Sequence, residues 1–330
     1  GFLGSNSEGD LTGKYGIEGY FNEELGGTPG FLRSERDISG RLIALAERSF
    51  EPAVDGSDIV LTIERTVQYM ACSKLQEAVL RHGADGGSVV IIEPQTGRIL
   101  ALCGNPDYDP NNYADVDNIN VFNNPAIFNA YEPGSIFKTF TMAAAIDSGA
   151  IEPSTTFEDT GSIFISPYTI RNSDNEVYGV QNMTQVLENS INTGVIFAMR
   201  ETGQEVFHEY MKQFGFGGPT GIELETELPG DISSLENSGE IYYATASFGQ
   251  GITTTPIQIA MAYAAIANAG SLYKPQIVDE IRHPDGTIEK IEPEKLHQVI
   301  SEKSARLIGA MLVSVIEHGH GSRAGVPGYY

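Results

Sequence analysis

Apolar positions recur with two spacings along the chain, and they divide it into a weakly patterned beginning and a strongly patterned remainder. Residues 1–50 mix glycine with charge and hold one short helical candidate, KYGIEGYFNEELGG at 14–27, before a turn at Thr28, Pro29 and Gly30. No core of its own is expected there. From VDGSDIVLTI onward the signals become regular, with a strand expected over 58–63. The run RTVQYMACSKLQEAVLRH at 65–82 then sets Val67, Met70, Ala71, Ala78 and Val79 on one helical face. GGSVVIIE and RILALCG are β-rich runs around Pro94, Gln95, Thr96 and Gly97, which predicts a hairpin whose glycine tolerates positive φ. Helix followed by hairpin suggests a sheet with a helix laid on it.

After a loop rich in Asn, Asp and Pro at 105–125, helical spacing returns in YEPGSIFKTFTMAAAID at 131–147 and in MTQVLENSINTGVIFAMRET at 183–202. A further helix is expected from Thr255 and Pro256 to Gly270, with proline at the first helical position and glycine past the end. EKSARLIGAMLVSVIEHG at 302–319 predicts another. There is no internal repeat. The pattern predicts an α+β fold: an N-terminal piece, then a larger domain with one sheet and many helices.

Composition narrows the function classes. The chain has 330 residues, 41% of them hydrophobic, enough for a substantial core. Its 44 acidic and 20 basic residues give a formal net charge of -24, so it lacks the clustered cations that nucleic acid requires. The same charge weakens attraction to anionic lipid, and membrane association would need an anchor. The longest apolar run, IQIAMAYAAIANAG at 257–270, is interrupted by Gln258 and Asn268 and is too short for a bilayer core of about 30 Å. It reads as a buried helix. The opening GFLGSNSEGD has neither Met nor a signal-like pattern, so a processed or excised chain is expected. Cys72 and Cys103 form no C-x-x-C and no metal spacing with the six histidines, and buried free thiols are expected rather than a bridge.

Candidate chemistry centres on Ser135 and Lys138. Three residues apart on a helix, they share a face, and Pro133 and Gly134 mark the helix start, where free N–H groups favour oxyanion character at the serine. Apolar neighbours around Lys138 would lower its pKa towards that of a general base. S-x-x-K is a weak pattern alone, and an N-cap serine beside a snorkelling lysine fits the same residues. A second match, Ser271 to Lys274, lies between the helix-ending Gly270 and Pro275 and reads as a turn. S-x-N offers two partners for the site. Ser173, Asp174 and Asn175 lie in a polar, turn-prone run and read as a surface loop; Ser190 and Asn192 lie between apolar positions at helical spacing. There a serine could relay a proton and an amide could hold a peptide carbonyl, while a helix kink or cap is the structural alternative.

With these motifs placed, the chain resembles the transpeptidase domain of class B penicillin-binding proteins, nearest the division-type enzymes, whose superfamily carries S-x-x-K with S-D-N and K-T-G. The resemblance runs in family order through VDGSDIVLTIERTVQ, EPQTGRILALCGNPDYDPN, YEPGSIFKTFT, ENSINTG, FGFGGPTGIEL and ASFGQGITTTPIQIAMAYAAIANAG. It implies a penicillin-binding/serine β-lactamase-like domain at 51–330, preceded at 1–50 by the end of a linker or stalk. It also implies Ser135 as acylated nucleophile, Lys138 as its base, Ser190 as proton relay and Asn192 as a substrate-binding amide. The implied reaction is D,D-transpeptidation of D-Ala-D-Ala stem peptides, with β-lactams acylating the same serine and no metal or cofactor required. The glycines of SFGQGITTTP are expected to form a structural turn.

The implied setting is the extracytoplasmic face of a bacterial membrane, with an N-terminal anchor absent from this chain and with glycosyltransferase and division proteins as partners. One departure is large: neither Lys-Thr-Gly nor Lys-Ser-Gly occurs in the sequence. In the family that motif follows a segment like GHGSRAGVPGYY and supplies an oxyanion-hole N–H worth about 3 kcal/mol. A truncated sequence is expected rather than a non-catalytic relative. The alternatives from other classes are a β-lactam sensor, an inactive scaffold of a cell-wall complex, and a β-lactam hydrolase. Sensors lack a linker-like segment such as that at 14–30.

Overall fold

The computed structural model describes residues 1–5, 7, 9, 11–33 and 49–329. Two small antiparallel pairs open the chain: β1 (Phe2–Ser5) with β2 (Leu11–Lys14), and β3 (Phe31–Arg33) with β4 (Ser49–Glu51). Between them KYGIEGYFNEELGG forms two short helices, α1 (Gly16–Tyr20) and α2 (Asn22–Gly26), rather than one. Phe2 is buried against Tyr15, Tyr113 and Phe122, so the opening pair shares an aromatic cluster with the loop after residue 105.

The strand expected at 58–63 is β5 (Asp58–Leu61), and 65–82 is a single helix, α3 (Arg65–His82). Gly83, with φ 60°, closes α3 in the left-handed conformation. Leu75 is its buried residue, whereas Met70, expected on the core face, is 59% exposed. Helix α3 lies along the hairpin of β6 (Gly87–Ile92) and β7 (Ile99–Asn105), as the pattern predicted. This proximity corrects the expectation of free thiols. Cys72 on α3 and Cys103 on β7 form a disulfide with a Cα–Cα distance of 5.4 Å. The pairing comes from one helix face meeting one strand face, which residue spacing alone did not reveal.

The loop at 105–125 carries two 3-10 turns, Pro110–Asp115 and Ile119–Phe122, with Asp109 and Asn118 accepting from backbone N–H groups at their starts. It leads to α4 (Pro125–Phe128) and then to the main helix, α5 (Lys138–Asp147). Every α5 residue from Lys138 to Ile146 is buried, as suits a helix walled in on all sides. Its neighbours include α6 (Met183–Glu188), α7 (Asn192–Thr202) and α8 (Gln204–Gln213). Two small pairs precede them, β8 (Thr156–Asp159) with β11 (Gly179–Asn182) and β9 (Ser162–Ile165) with β10 (Tyr168–Arg171).

Helix α9 (Glu240–Ala246) leads to α10 (Pro256–Ala267), where the Gln258 side chain accepts from the Thr255 N–H. Ser271 to Lys274, expected as a turn, instead begins with strand β12 (Ser271–Tyr273). Its side chains go separate ways, Ser271 to Gln298 at 2.9 Å and Lys274 to Glu223 at 3.3 Å. Strand β13 (Val278–Arg282) pairs with both β5 and β14 (Ile288–Lys290), and β15 (Lys295–Gln298) pairs with β12. Among the described residues the expected sheet is therefore a set of small antiparallel sheets. Buried Thr62 joins two of them, donating to the carbonyls of Ile99 and Gln276. The last long helix, α11 (Glu302–His318), is capped by Ser301, and Asp147 at the end of α5 holds it by accepting from the Ser301 N–H and holds α8 by accepting from the Tyr210 hydroxyl.

The 31-residue separation closed by the disulfide corresponds to a stabilisation of about 4 kcal/mol in the chain-entropy picture. Replacing Cys72 and Cys103 together by alanine is expected to lower the thermal midpoint by several degrees. Reductant should have a similar effect on the native protein and none on the double variant, as read by scanning fluorimetry.

Candidate active site

Gly134 and the three residues after it form a 3-10 turn, Gly134–Phe137, which runs directly into α5. Ser135 is exposed on this turn, while Lys138, one turn on, is 1% exposed. An apolar shell encloses the lysine stem: Phe137 and Phe140 are fully buried and meet edge-on, and Phe216 packs on both. Among the described residues only neutral oxygens receive the ammonium. Lys138 Nζ donates to the Ser190 backbone carbonyl and, at 2.9 Å, to Ser190 Oγ. Burial drives the lysine pKa down from 10.5 to about 7, with the Asp174 charge opposing part of that shift. A lysine in this state exchanges its proton near neutrality.

The helical pattern at 183–202 breaks at Ser190, whose φ of 53° turns the chain between α6 and α7. The break and the polar function coincide. The left-handed backbone brings both the carbonyl and the hydroxyl of Ser190 to Lys138, which an uninterrupted helix would not do, since its carbonyl would be taken by an i+4 N–H. Asn192 begins α7 and donates from Nδ2 to the Arg171 carbonyl at 2.9 Å. Of the sequence candidates, Lys138 and Ser190 meet directly, Ser135 stands one turn before Lys138, and Asn192 follows Ser190 on the same bend. The other S-x-N, at Ser173 to Asn175, forms a loop next to this group. Asp174 there accepts from the Tyr178 hydroxyl and the Glu176 N–H, and its charge reaches Lys138.

Residues that the sequence offered only as a structural turn clamp the serine turn in place. Gly134 N–H donates to the Gly249 carbonyl at 3.0 Å, and Tyr131 and Thr254 exchange backbone hydrogen bonds at 3.0 and 2.9 Å. Glu132 accepts from the Gly251 N–H at 2.8 Å. From α10, the Tyr263 hydroxyl donates to the Ile136 carbonyl at 2.8 Å. Gly134 and Gly249 both have positive φ, at 63° and 78°. A Cβ on Gly249 would stand 2.3 Å from the Gly134 carbonyl oxygen, so the approach of the two backbones requires glycine there. No motif announces Tyr263, which sits in an apolar helix where an aromatic reads as core.

Chemically, an exposed hydroxyl at a helix start, a lysine titrating near neutrality and a hydroxyl bonded to that lysine can carry acyl transfer through a covalent serine. Comparison with known proteins agrees with this geometry. A family described as the penicillin binding protein transpeptidase domain matches residues 87–330, and one described as the penicillin-binding protein dimerisation domain matches residues 4–61. Stage V sporulation protein D of Bacillus subtilis is 35% identical over 332 residues, covering 100% of this chain and 51% of that protein. Peptidoglycan D,D-transpeptidase FtsI of Buchnera aphidicola is 32% identical over 97% of this chain and 54% of its own length. The chain thus spans about half the length of these curated relatives. A crystal structure of penicillin binding protein 3 of Mycobacterium tuberculosis, complexed with ampicillin, superposes with a TM-score of 0.86 at 28% identity, covering 99% of this chain and 70% of that one.

Substituting Gly249 by alanine is expected to push the serine turn out of place, at a cost of about 2 kcal/mol or more for the forced positive φ and the clash. Urea unfolding would measure the loss. An unchanged midpoint would mean that the two backbones do not need their close approach.

Proposed function

The chain belongs to the penicillin-binding protein transpeptidase family, and from that membership we propose that it is the catalytic part of a peptidoglycan D,D-transpeptidase working through an acyl-enzyme on Ser135. The observation that carries this reading is the buried Lys138 ammonium bonded to Ser190 Oγ at 2.9 Å, one helical turn from the exposed serine.

In the proposed cycle neutral Lys138 takes the proton of Ser135 as its Oγ attacks the carbonyl of the penultimate D-Ala in a donor stem peptide. The Ser135 backbone N–H, next to the Gly134 N–H that Gly249 already engages, serves the charge that develops on the carbonyl oxygen. The proton then passes from Lys138 through Ser190 to the departing D-Ala amine as the peptide bond breaks. The Asn192 amide holds the peptide carbonyl and orients the chain beside the serine. An acceptor amine from another stem peptide next attacks the ester, loses its proton to Lys138, and leaves Ser135 as a free hydroxyl. A β-lactam enters at the first step, its ring amide opening on Ser135 to leave a covalent adduct.

The dimerisation-domain match at 4–61 supports the reading of residues 1–50 as the end of a stalk, with the catalytic lobe at 51–330. Among the described residues no helix is long and apolar enough to cross a membrane. A peptidoglycan D,D-transpeptidase among the relatives supports a role of the whole protein in cell-wall synthesis, for which the extracytoplasmic membrane face is the proposed setting and glycosyltransferase and division proteins are the proposed partners. A sensor or an inactive scaffold is the competing reading. A lysine tuned to titrate at neutrality fits less well with an inactive scaffold, and the dimerisation-domain match at 4–61 fits less well with a sensor.

Incubation of the product of the complete gene with penicillin is expected to give a stable adduct on Ser135 by mass spectrometry, absent in Ser135→Ala. Acylation should accelerate as pH rises through about 7, because the neutral lysine is the active form and Asp174 is the carboxylate facing it. No adduct on the wild type would sink the enzyme reading; rapid loss of the adduct would instead indicate a hydrolase.

A further inference from the structure

Asp159, the last residue of β8, is 1% exposed, and among the described residues no cationic side chain pairs with it. A buried carboxylate without a counter-charge persists only when donors surround it. Here they come from three directions. Thr193 Oγ1 donates to Oδ1 at 2.6 Å and Gly161 N–H at 2.9 Å; Tyr178 N–H donates to Oδ2 at 2.8 Å and Asn172 Nδ2 at 3.0 Å. Burial disfavours the charge, yet these four bonds outweigh it and hold the carboxyl below its ordinary range.

Three of the four donors neighbour a part of the site. Thr193 follows Asn192 in the first turn of α7, and Asn172 follows Arg171, whose carbonyl receives the Asn192 amide. Asn172 Oδ1 also accepts from the Thr193 N–H at 3.3 Å. Tyr178 closes the loop that carries Asp174, donating its hydroxyl to the Asp174 carboxylate. The carboxylate therefore joins the loop at 171–178 to the start of α7.

We propose that Asp159 is a positioning residue for the Ser135 site: its carboxylate locks the loop at 171–178 against the first turn of α7 and so aims the Asn192 amide at a carbonyl bound beside Ser135. The inference rests on the acyl-transfer reading above. A carboxylate is required because four donors meet two acceptor oxygens. Asparagine at 159 would offer one acceptor and turn an N–H against buried N–H groups, leaving at least one of them unpaired.

The test uses the product of the complete gene and a fluorescent penicillin, with the acylation rate at saturation separated from the dissociation constant of the initial complex. Asp159→Asn is expected to lower acylation efficiency by about tenfold to a hundredfold, mostly through weaker initial binding, since one to two unmet buried bonds are at stake. Thr193→Val removes only the shortest of the four bonds and covers the case in which Asp159→Asn fails to fold; it should weaken initial binding severalfold while the thermal midpoint moves by a few degrees at most. Folded variants acylated within twofold of wild type would overturn the proposal. So would variants that lose thermal stability while the initial complex binds as in wild type, because that marks a merely structural carboxylate. A wild type that forms no adduct would sink the acyl-transfer reading instead.

Discussion

A lysine side chain sealed in an apolar shell, with only neutral oxygens to receive its ammonium, is the constraint around which the rest of the structure is arranged. Moving its pKa from 10.5 to about 7 corresponds to a cost on the order of 5 kcal/mol relative to a solvated lysine. The cost is felt in full below pH 7, where the group is charged in both states. It fades as pH rises towards the ordinary lysine value, because over that interval only the unfolded chain keeps the proton. The fully buried helix α5, anchored at its far end by Asp147 to α8 and α11, is what holds the lysine in place against that cost. Hydrophobic burial along the helix supplies the stability and its first residue consumes part of it.

Two backbone features turn the buried lysine into a site. Ser190 adopts a left-handed conformation that directs carbonyl and hydroxyl to the same ammonium. Gly134 and Gly249, also left-handed, let the serine turn rest on the strand-like segment before α10. In each case a conformation that costs energy locally is over-determined by its surroundings, which is how strained backbone persists. The serine turn is pinned from Gly249, Gly251, Thr254 and Tyr263, so little reorganisation is left for the moment of reaction.

The sequence revealed long periodic elements well and meetings between them poorly. Helix α3, the hairpin that follows it, α10 and α11 lie where apolar spacing put them, although in α3 only Leu75 is buried and Met70 of the expected face is exposed. Ser135 and Lys138 were legible as a pair since three residues on one helix are a local matter. The meeting of Lys138 with Ser190, 52 residues away, came from family resemblance and not from spacing. The disulfide was misjudged for the same reason: Cys72 and Cys103 become neighbours only when α3 lies on β7. Asp159 gave no signal, because an aspartate before a glycine turn reads as surface until its four donors are seen.

The position of Asp174 shows why the lysine keeps its freedom to release a proton. A carboxylate bonded directly to the ammonium would favour the charged form and hold the proton there. Instead, Asp174 spends its lone pairs on the Tyr178 hydroxyl and the Glu176 N–H, and that bond raises the Tyr178 pKa to about 12. What reaches Lys138 is a residual field that offsets burial without cancelling it. The acidic surface of the chain, with a net charge of -24, could easily have overwhelmed so sensitive a group. Among the described residues Asp174 is the carboxylate whose charge reaches the lysine, and its oxygens are already engaged. The neutral partners of Lys138 are therefore as much a part of the chemistry as the lysine itself, since they bind both its protonated and its neutral form and let it pass between them.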